Sequence, residues 1–252
     1  MIEIRNITKS YHGKPVVEDL SFSLPTEKII AFIGSNGAGK STVLSIISRL
    51  IAASEGLVRI DDKDLKDWNT RELAKHLAVL GQSSHITTRL TVEDLVRFGR
   101  FPHSQGRLSE EDLRIVEQAL EYTELTDLRG RFLDELSGGQ RQTAHIAMAI
   151  AQDTRYILLD EPLNNLDMRR SVKIMKLLRN LVDDKGKTIL IVIHDINFVS
   201  FHADYIVALK DGKLRHIGPA GDIIRPDVLR DIYDIDIAIE RYNGKQVCVY
   251  YE

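Results

Sequence analysis

Six residues, Lys28-Ile29-Ile30-Ala31-Phe32-Ile33, form a short apolar run that stops at a glycine. Gly34-Ser35-Asn36-Gly37-Ala38-Gly39-Lys40-Ser41-Thr42 follows, and it fits G-x-x-x-x-G-K-[ST]. The apolar run suits a strand buried on both faces of a parallel sheet. After the loop, apolar residues fall at 43, 44, 47 and 50, which is helical spacing. Strand, glycine loop and helix in that order commit this part of the chain to a βα unit, and so to an α/β architecture. The residue types also carry chemistry. Glycines let the backbone fold around a phosphate with no Cβ in the way. Successive N–H groups and the helix N-terminus present partial positive charge to an anion. Lys40 adds a full charge for the β- and γ-phosphates, and the Ser41 hydroxyl reaches Mg²⁺. The motif predicts binding of a nucleotide with Mg²⁺. It does not say what becomes of the nucleotide.

The rest of the chain supplies elements to match. Residues 1–24 read as two β segments around a turn at Gly13, and residues 57–60 as another strand followed by a charged turn, Asp61-Asp62-Lys63-Asp64. Residues 91–128 read as helices. Thr91 and Ser109 each precede acidic residues in the manner of an N-cap, and Pro102 and Gly106 break the stretch between them. An alanine-rich helix is expected over 140–152, a strand over 156–160, a helix over 171–181, and strands over 188–194 and 206–209. A final hairpin is expected around Asn243-Gly244. The pattern predicts one domain over residues 1–252. Its core sheet is mostly parallel, with an antiparallel β subdomain, a helical subdomain at about 85–152 and a C-terminal β hairpin at about 236–252.

Composition narrows the function classes. A formal net charge of −3 over 252 residues gives no basic excess for a nucleic acid. The single cysteine, Cys248, offers neither an internal disulfide nor a zinc cluster, and it reads as a half-buried strand residue. The first residues lack the unbroken apolar core of a signal peptide, and no apolar run approaches the roughly 20 residues that cross a bilayer. A cytoplasmic protein is expected, with any membrane role exercised through a partner.

Two further segments carry chemistry. Ile157-Leu158-Leu159-Asp160-Glu161-Pro162 is an apolar strand ending in two acids. In a parallel sheet ligands sit at the carboxyl ends of strands, so Asp160 can hold Mg²⁺ and Glu161 can orient an attacking water. Leu136-Ser137-Gly138-Gly139-Gln140 opens a long helix. It reads either as a plain N-cap with a flexible turn or as a second anion site of the same dipolar kind.

Taken in order, these residues resemble the ATP-binding-cassette (ABC) family of transporter ATPases over nearly the whole chain. Residues 34–42 resemble the Walker A loop, Gln82 the Q-loop glutamine, and residues 136–140 the family signature. Asp160 and Glu161 are similar to Walker B and its catalytic glutamate. Asn164-Asn165-Leu166-Asp167 resembles the D-loop, His194 the switch histidine, and Tyr11 the aromatic that stacks on adenine. The resemblance implies two copies packed head to tail, each ATP sandwiched between one copy's Walker A loop and the other's signature. Ser137, Gly138, Gly139 and Gln140 then face the partner's nucleotide. Glu161 acts as general base or water-orienting group, and His194 holds the γ-phosphate. Gln82 touches Mg²⁺ along with Ser41 and Asp160, and Asp167 organises the dimer seam. Ser35, Gly81, Leu163 and Asn164 depart from common family choices without removing a charged or catalytic group.

Within the family, Leu90-Thr91-Val92-Glu93-Asp94-Leu95-Val96 and Gly99-Arg100-Phe101-Pro102-His103 resemble the iron–siderophore, haem and cobalamin importer group, most of all ATPases for catecholate siderophores of the petrobactin or enterobactin kind. That resemblance implies separate membrane permease subunits, a substrate-binding lipoprotein acting indirectly, and a place at the inner face of the bacterial membrane. Haem or cobalamin import, an exporter ATPase and a soluble cassette protein remain the alternatives.

Overall fold

The computed structural model describes residues 1–81, 89–164 and 166–250. They form two compact units, one made of Met1–Trp68 with Thr188–Glu252, the other of Asn69–Lys187.

The first unit opens with β1 (Ile2–Tyr11) and β2 (Lys14–Leu24), paired antiparallel through a turn at His12 and Gly13. Both turn residues have positive φ (50° and 76°), the conformation whose twist matches a hairpin. Ile2, Ile4 and Ile7 of β1 are all buried, although Ile7 breaks the alternation. A register shift between Ile4 and Ile7, with Asn6 at φ 48°, absorbs the odd residue and returns Ile7 to the inner face. Then come β3 (Ile29–Ile33), buried at every position, and α1 (Lys40–Ile47). β4 (Glu55–Ile60) pairs antiparallel with β1, and β5 (Lys63–Asp64) pairs back onto β4. The charged turn expected at 61–64 is thus the tip of a small hairpin, with Asp61 and Asp62 both at positive φ.

The second unit contains α2 (Thr70–His76), β6 (Leu77–Leu80), α3 (Val92–Phe98), α4 (Phe101–Ser104), α5 (Glu110–Tyr122), α6 (Gly138–Ala151), β7 (Tyr156–Asp160) and α7 (Met168–Lys185). It is larger than the helical segment expected at about 85–152 because it also takes in β6, β7 and α7. β6 and β7 pair in parallel, Leu77 opposite Tyr156 and Leu80 opposite Leu159. Thr91 and Ser109 close α3 and α5 with reciprocal capping boxes to Asp94 and Asp112. α7 extends beyond the expected 171–181, because Asp167 caps its start and Gly186, at φ 60°, ends it. Val92, Leu95, Val116, Leu120, Ala144 and Ala147 form a shared core of α3, α5 and α6. Inside that helical region Arg100 pairs with Asp112 at 2.8 Å and donates to the Ala151 carbonyl at 2.9 Å. Their side chains are only 6% and 9% exposed. Removing either partner leaves a buried charge, a loss of about 3–5 kcal/mol.

The chain then returns to the first unit with β8 (Thr188–Val192), α8 (Ile196–His202), β9 (Tyr205–Lys210), β10 (Lys213–Pro219), α9 (Ala220–Ile223), α10 (Pro226–Tyr233), β11 (Ala238–Tyr242) and β12 (Lys245–Val249). β3 lies between β8 and β9, parallel to both, and β10 runs antiparallel along β9. β11 and β12 meet at Asn243 and Gly244, both at positive φ. The Asn197 amide on α8 fastens this hairpin by accepting from the Cys248 N–H (2.8 Å) and donating to its carbonyl (3.1 Å). Cys248 is fully buried, deeper than expected, and burial pushes its thiol up to about 11.

Candidate functional site

In the first unit the loop 34–42 leaves the carboxyl end of β3. The register places Phe32 opposite Val192 of β8 and Ile33 opposite Ala208 of β9. His194, two residues beyond Val192, therefore leaves the same sheet edge as the loop, and it is exposed there. Asp195 fixes the backbone just after it, accepting from the N–H groups of Asn197 (2.8 Å) and Phe198 (3.3 Å) to cap α8. The loop is held from both sides. A Cβ on Gly34 would lie 2.0 Å from the Leu209 carbonyl oxygen, and one on Gly39 would lie 2.9 Å from Val17 Cγ2. With φ of 136° and 96°, neither position suits another residue. Lys40 is 5% exposed and bends back, its ammonium donating to the carbonyls of Gly34 (2.8 Å) and Ser35 (2.9 Å). Gly39 stands at the N-terminus of α1, where no side chain caps the helix and no acid lies in the first turn. An uncompensated helix dipole thus stands beside a lysine, an arrangement that attracts a polyanion. Tyr11 ends β1 exposed, with the Lys9 ammonium 5.0 Å from its ring centre. Tyr233 of α10 lies under the loop, with the Gly34 N–H bonded toward its phenol, and burial pushes that phenol up to about 12.

In the second unit Asp160 ends β7 at 9% exposure. Glu161 follows at φ 52°, a left-handed conformation that is costly for a glutamate and that turns the chain sharply out of the strand. Its carboxylate accepts from the Asn164 side-chain amide at 2.5 Å. Ser137 caps α6 in a capping box, accepting from the Gln140 N–H (3.3 Å) while its own N–H donates to Gln140 Oε1 (3.0 Å). Gly138 and Gly139 form the first two positions of that helix. Asp167 caps α7, accepting from the Arg170 N–H at 2.9 Å. Gln82 lies outside the described residues.

Sequence reasoning passed over Arg170 and the Asn164–Glu161 contact. Arg170 carried one legible signal. It occupies the first turn of α7, where the helix dipole disfavours a cation.

The ABC transporter family matches residues 17–164, more than half of the 252-residue chain. A petrobactin import ATP-binding protein of Bacillus subtilis (strain 168) is 54% identical over 251 residues, covering 100% of both chains. The chain belongs to the ABC transporter family. Two solved ABC structures share its fold. One is a metal-chelate-type ABC transporter in an inward-facing conformation, 26% identical with a TM-score of 0.84 over 99% of this chain and 98% of that one. The other is a dimeric ATP-binding cassette in a post-hydrolysis state bound to ADP and phosphate, 31% identical with a TM-score of 0.78 over 87% of this chain and 99% of that one. As an ABC cassette this protein is an ATP-binding ATPase coupled to transport, on the α/β fold of the P-loop NTPases.

Proposed function

We propose that this ABC protein energises the import of an iron–siderophore complex, working as a pair of identical copies beneath separate permease subunits at the cytoplasmic face of the cell membrane. The observation that carries the reading is the end-to-end likeness to the petrobactin import ATPase. A lipoprotein delivers the cargo to the permease, and iron never meets this chain. Among the described residues no helix is long and apolar enough to cross a membrane, so the transport path belongs to the permease in this reading. Phe98 and Phe101, 53% and 57% exposed, line a cleft of about 310 Å³ and offer that permease an apolar hold.

The residue roles follow the chemistry of phosphoryl transfer, which is mainly positioning and charge stabilisation. Tyr11 stacks on the adenine. The backbone of Gly34, Ser35, Asn36, Gly37, Ala38 and Gly39, with Lys40 and Thr42, holds the phosphates. Magnesium fits the donors available. Ser41 and Asp160 carry hard oxygen donors of the kind it takes, and Asp160 is nearly buried at a strand end; Gln82, assigned here by the family pattern alone, would be the third ligand. When bound, the ion offsets charge on the β- and γ-phosphate oxygens. The Glu161 carboxylate, steadied by Asn164, orients the attacking water, and His194 holds the γ-phosphate.

Ser137, Gly138, Gly139 and Gln140 read the partner's nucleotide, and Asp167 organises the seam between copies. Gly138 supports this assignment. A Cβ there would meet nothing within 4 Å among the described residues, and its φ is not positive, so nothing in that surrounding calls for glycine. A phosphate approaching from a second copy does.

Glu161→Gln tests the catalytic assignment. The variant keeps the hydrogen-bonding shape but loses the base, so ATP binding persists while hydrolysis falls about 100- to 10,000-fold. Size exclusion with ATP should then show a trapped dimer. A variant that stays monomeric and still turns over refutes the role. A strain lacking this gene and any redundant ATPase should stop growing on the siderophore under iron limitation. Unchanged siderophore uptake removes the cargo assignment.

A further inference from the structure

We infer that Arg170 is a positioning residue that turns Ser137 into an obligate hydrogen-bond donor toward the partner's nucleotide and ties that serine to the Asp167 turn. The inference rests on the paired-cassette reading and deepens it.

Three contacts converge on this side chain. Arg170 Nη1 donates to Ser137 Oγ at 3.0 Å. Its Nε lies 3.6 Å from Asp167 Oδ2, while its backbone N–H donates to Asp167 Oδ1 at 2.9 Å. Its side chain also lies against Gly139, where a Cβ would come within 2.5 Å of Nη1 and 2.7 Å of Cδ. The second signature glycine thus leaves room for the Arg170 side chain, which would have to shift if a Cβ stood there, whereas among the described residues nothing crowds the first.

The consequence lies in the inventory of a hydroxyl, which has one hydrogen and two lone pairs. Ser137 Oγ accepts from the Gln140 N–H (3.3 Å) and from Arg170, so both lone pairs are engaged. Its hydrogen has to point elsewhere, and a phosphate oxygen presented by a second copy is an acceptor of the right kind. Without Arg170 the serine regains a free lone pair and can turn away from a phosphate. The same guanidinium places a permanent cation beside the signature, and Asp167 holds it there against the α7 dipole. Signature and Asp167 turn thus move together.

The test uses the full chain carrying Glu161→Gln, so that ATP binding is read without hydrolysis. Arg170→Met keeps an unbranched stem over Gly139 and removes the donor and the charge. Arg170→Lys keeps a point charge but cannot reach serine and carboxylate in one plane. Two quantities are measured: affinity of the dilute monomer for a fluorescent ATP analogue, and ATP-driven dimerisation by sedimentation. Arg170→Met should leave monomer affinity within about twofold and weaken dimerisation about 100-fold, because a symmetric dimer loses the contact twice at about tenfold each. Arg170→Lys should fall between. In the hydrolysing chain, Arg170→Met should raise KM for ATP more than it lowers kcat at saturating protein. If the Glu161→Gln parent does not dimerise with ATP, the paired reading fails. If it dimerises and Arg170→Met matches it, the inference is overturned. Equal loss of monomer affinity and dimerisation also overturns it, since that marks a general structural role.

Discussion

Two glycine-bearing loops open helices in this protein, and their first glycines, Gly34 and Gly138, stand in opposite surroundings. In the loop of Gly34 and Gly39 the molecule's own backbone demands them. Both have positive φ, and their missing Cβ atoms make room for the Leu209 carbonyl, for Val17 and for the Val16 carbonyl. At Gly138, among the described residues, no neighbour within 4 Å and no unusual φ asks for glycine. The helix starts differ as well. α1 begins without a side-chain cap or an acid, whereas α6 is closed by the Ser137–Gln140 capping box. The first loop is fixed by its own chain around an uncapped helix start, and on the proposed reading it holds the phosphates. The second is closed by its own cap, and on the proposed reading the bare position at Gly138 meets a surface brought by a second copy.

The contrast is easiest to break at its stronger pole. Gly34→Ala forces a methyl into the Leu209 carbonyl at a φ of 136°. Backbone strain costs about 1–3 kcal/mol, and crowding adds about 1–3 kcal/mol more. A clear fall in Tm together with loss of monomer ATP binding is the expected result, read by calorimetry and nucleotide titration. Gly138→Ala sharpens the other pole. Alanine is the better helix former by roughly 0.5–1 kcal/mol, so Tm should hold or rise slightly. Monomer ATP binding should also hold, while ATP-driven dimerisation and ATPase activity collapse. If Gly138→Ala dimerises and hydrolyses normally, the distinction between the two loops is wrong. If it unfolds, the glycine has an internal role that the geometry does not reveal.

Much of this was legible in the sequence, for local reasons. β3, the loop after it and α1 follow from an apolar run, a spacing motif and a 3.6-residue period, all set by neighbours in the chain. Thr91, Ser109, and Asn243 with Gly244 announced their caps and turn by the same local logic. Less visible were features made by residues distant in sequence. The Arg100–Asp112 pair and the Arg100 bond to Ala151 span 12 and 51 positions, and Arg170 reaches Ser137 across 33. No period or motif encodes such distances. β10 and α10 went unread because both are short and their apolar residues are interrupted by charges that the fold pairs off, as Arg215 and His216 do with Asp231. The one hint of Arg170, a cation in the first turn of α7, signals a partner without naming it.

The smallest expected effect separates the two units by acid sensitivity. In the second unit, burial holds His145 of α6 below its ordinary value of 6.5, with the Arg141 charge acting in the same direction. His103 is lowered too, first by burial and then by the Arg100 charge, although its ring bonds to the Gln152 carbonyl at 3.0 Å. A depressed histidine folds best neutral. Its contribution to stability is therefore complete above the ordinary value and is lost as pH falls through the folded value. In the first unit the shifted acid is Asp231, held well below the usual carboxylate range by Arg215 and then His216, so its contribution survives until much lower pH. Between about pH 7.5 and about pH 5.5 the loss should thus fall on the second unit, where α6 carries the signature. The melting temperature should fall across this range. Hydrogen exchange should place the loosening in α6 rather than in β3 or α1. His145→Asn, which cannot take up a proton, should lose less on acidification than the parent. Dimerisation with ATP should weaken before monomer binding does, because acid acts on the second loop and spares the first. An equal pH response in parent and variant, or exchange that rises first in α1, contradicts this division.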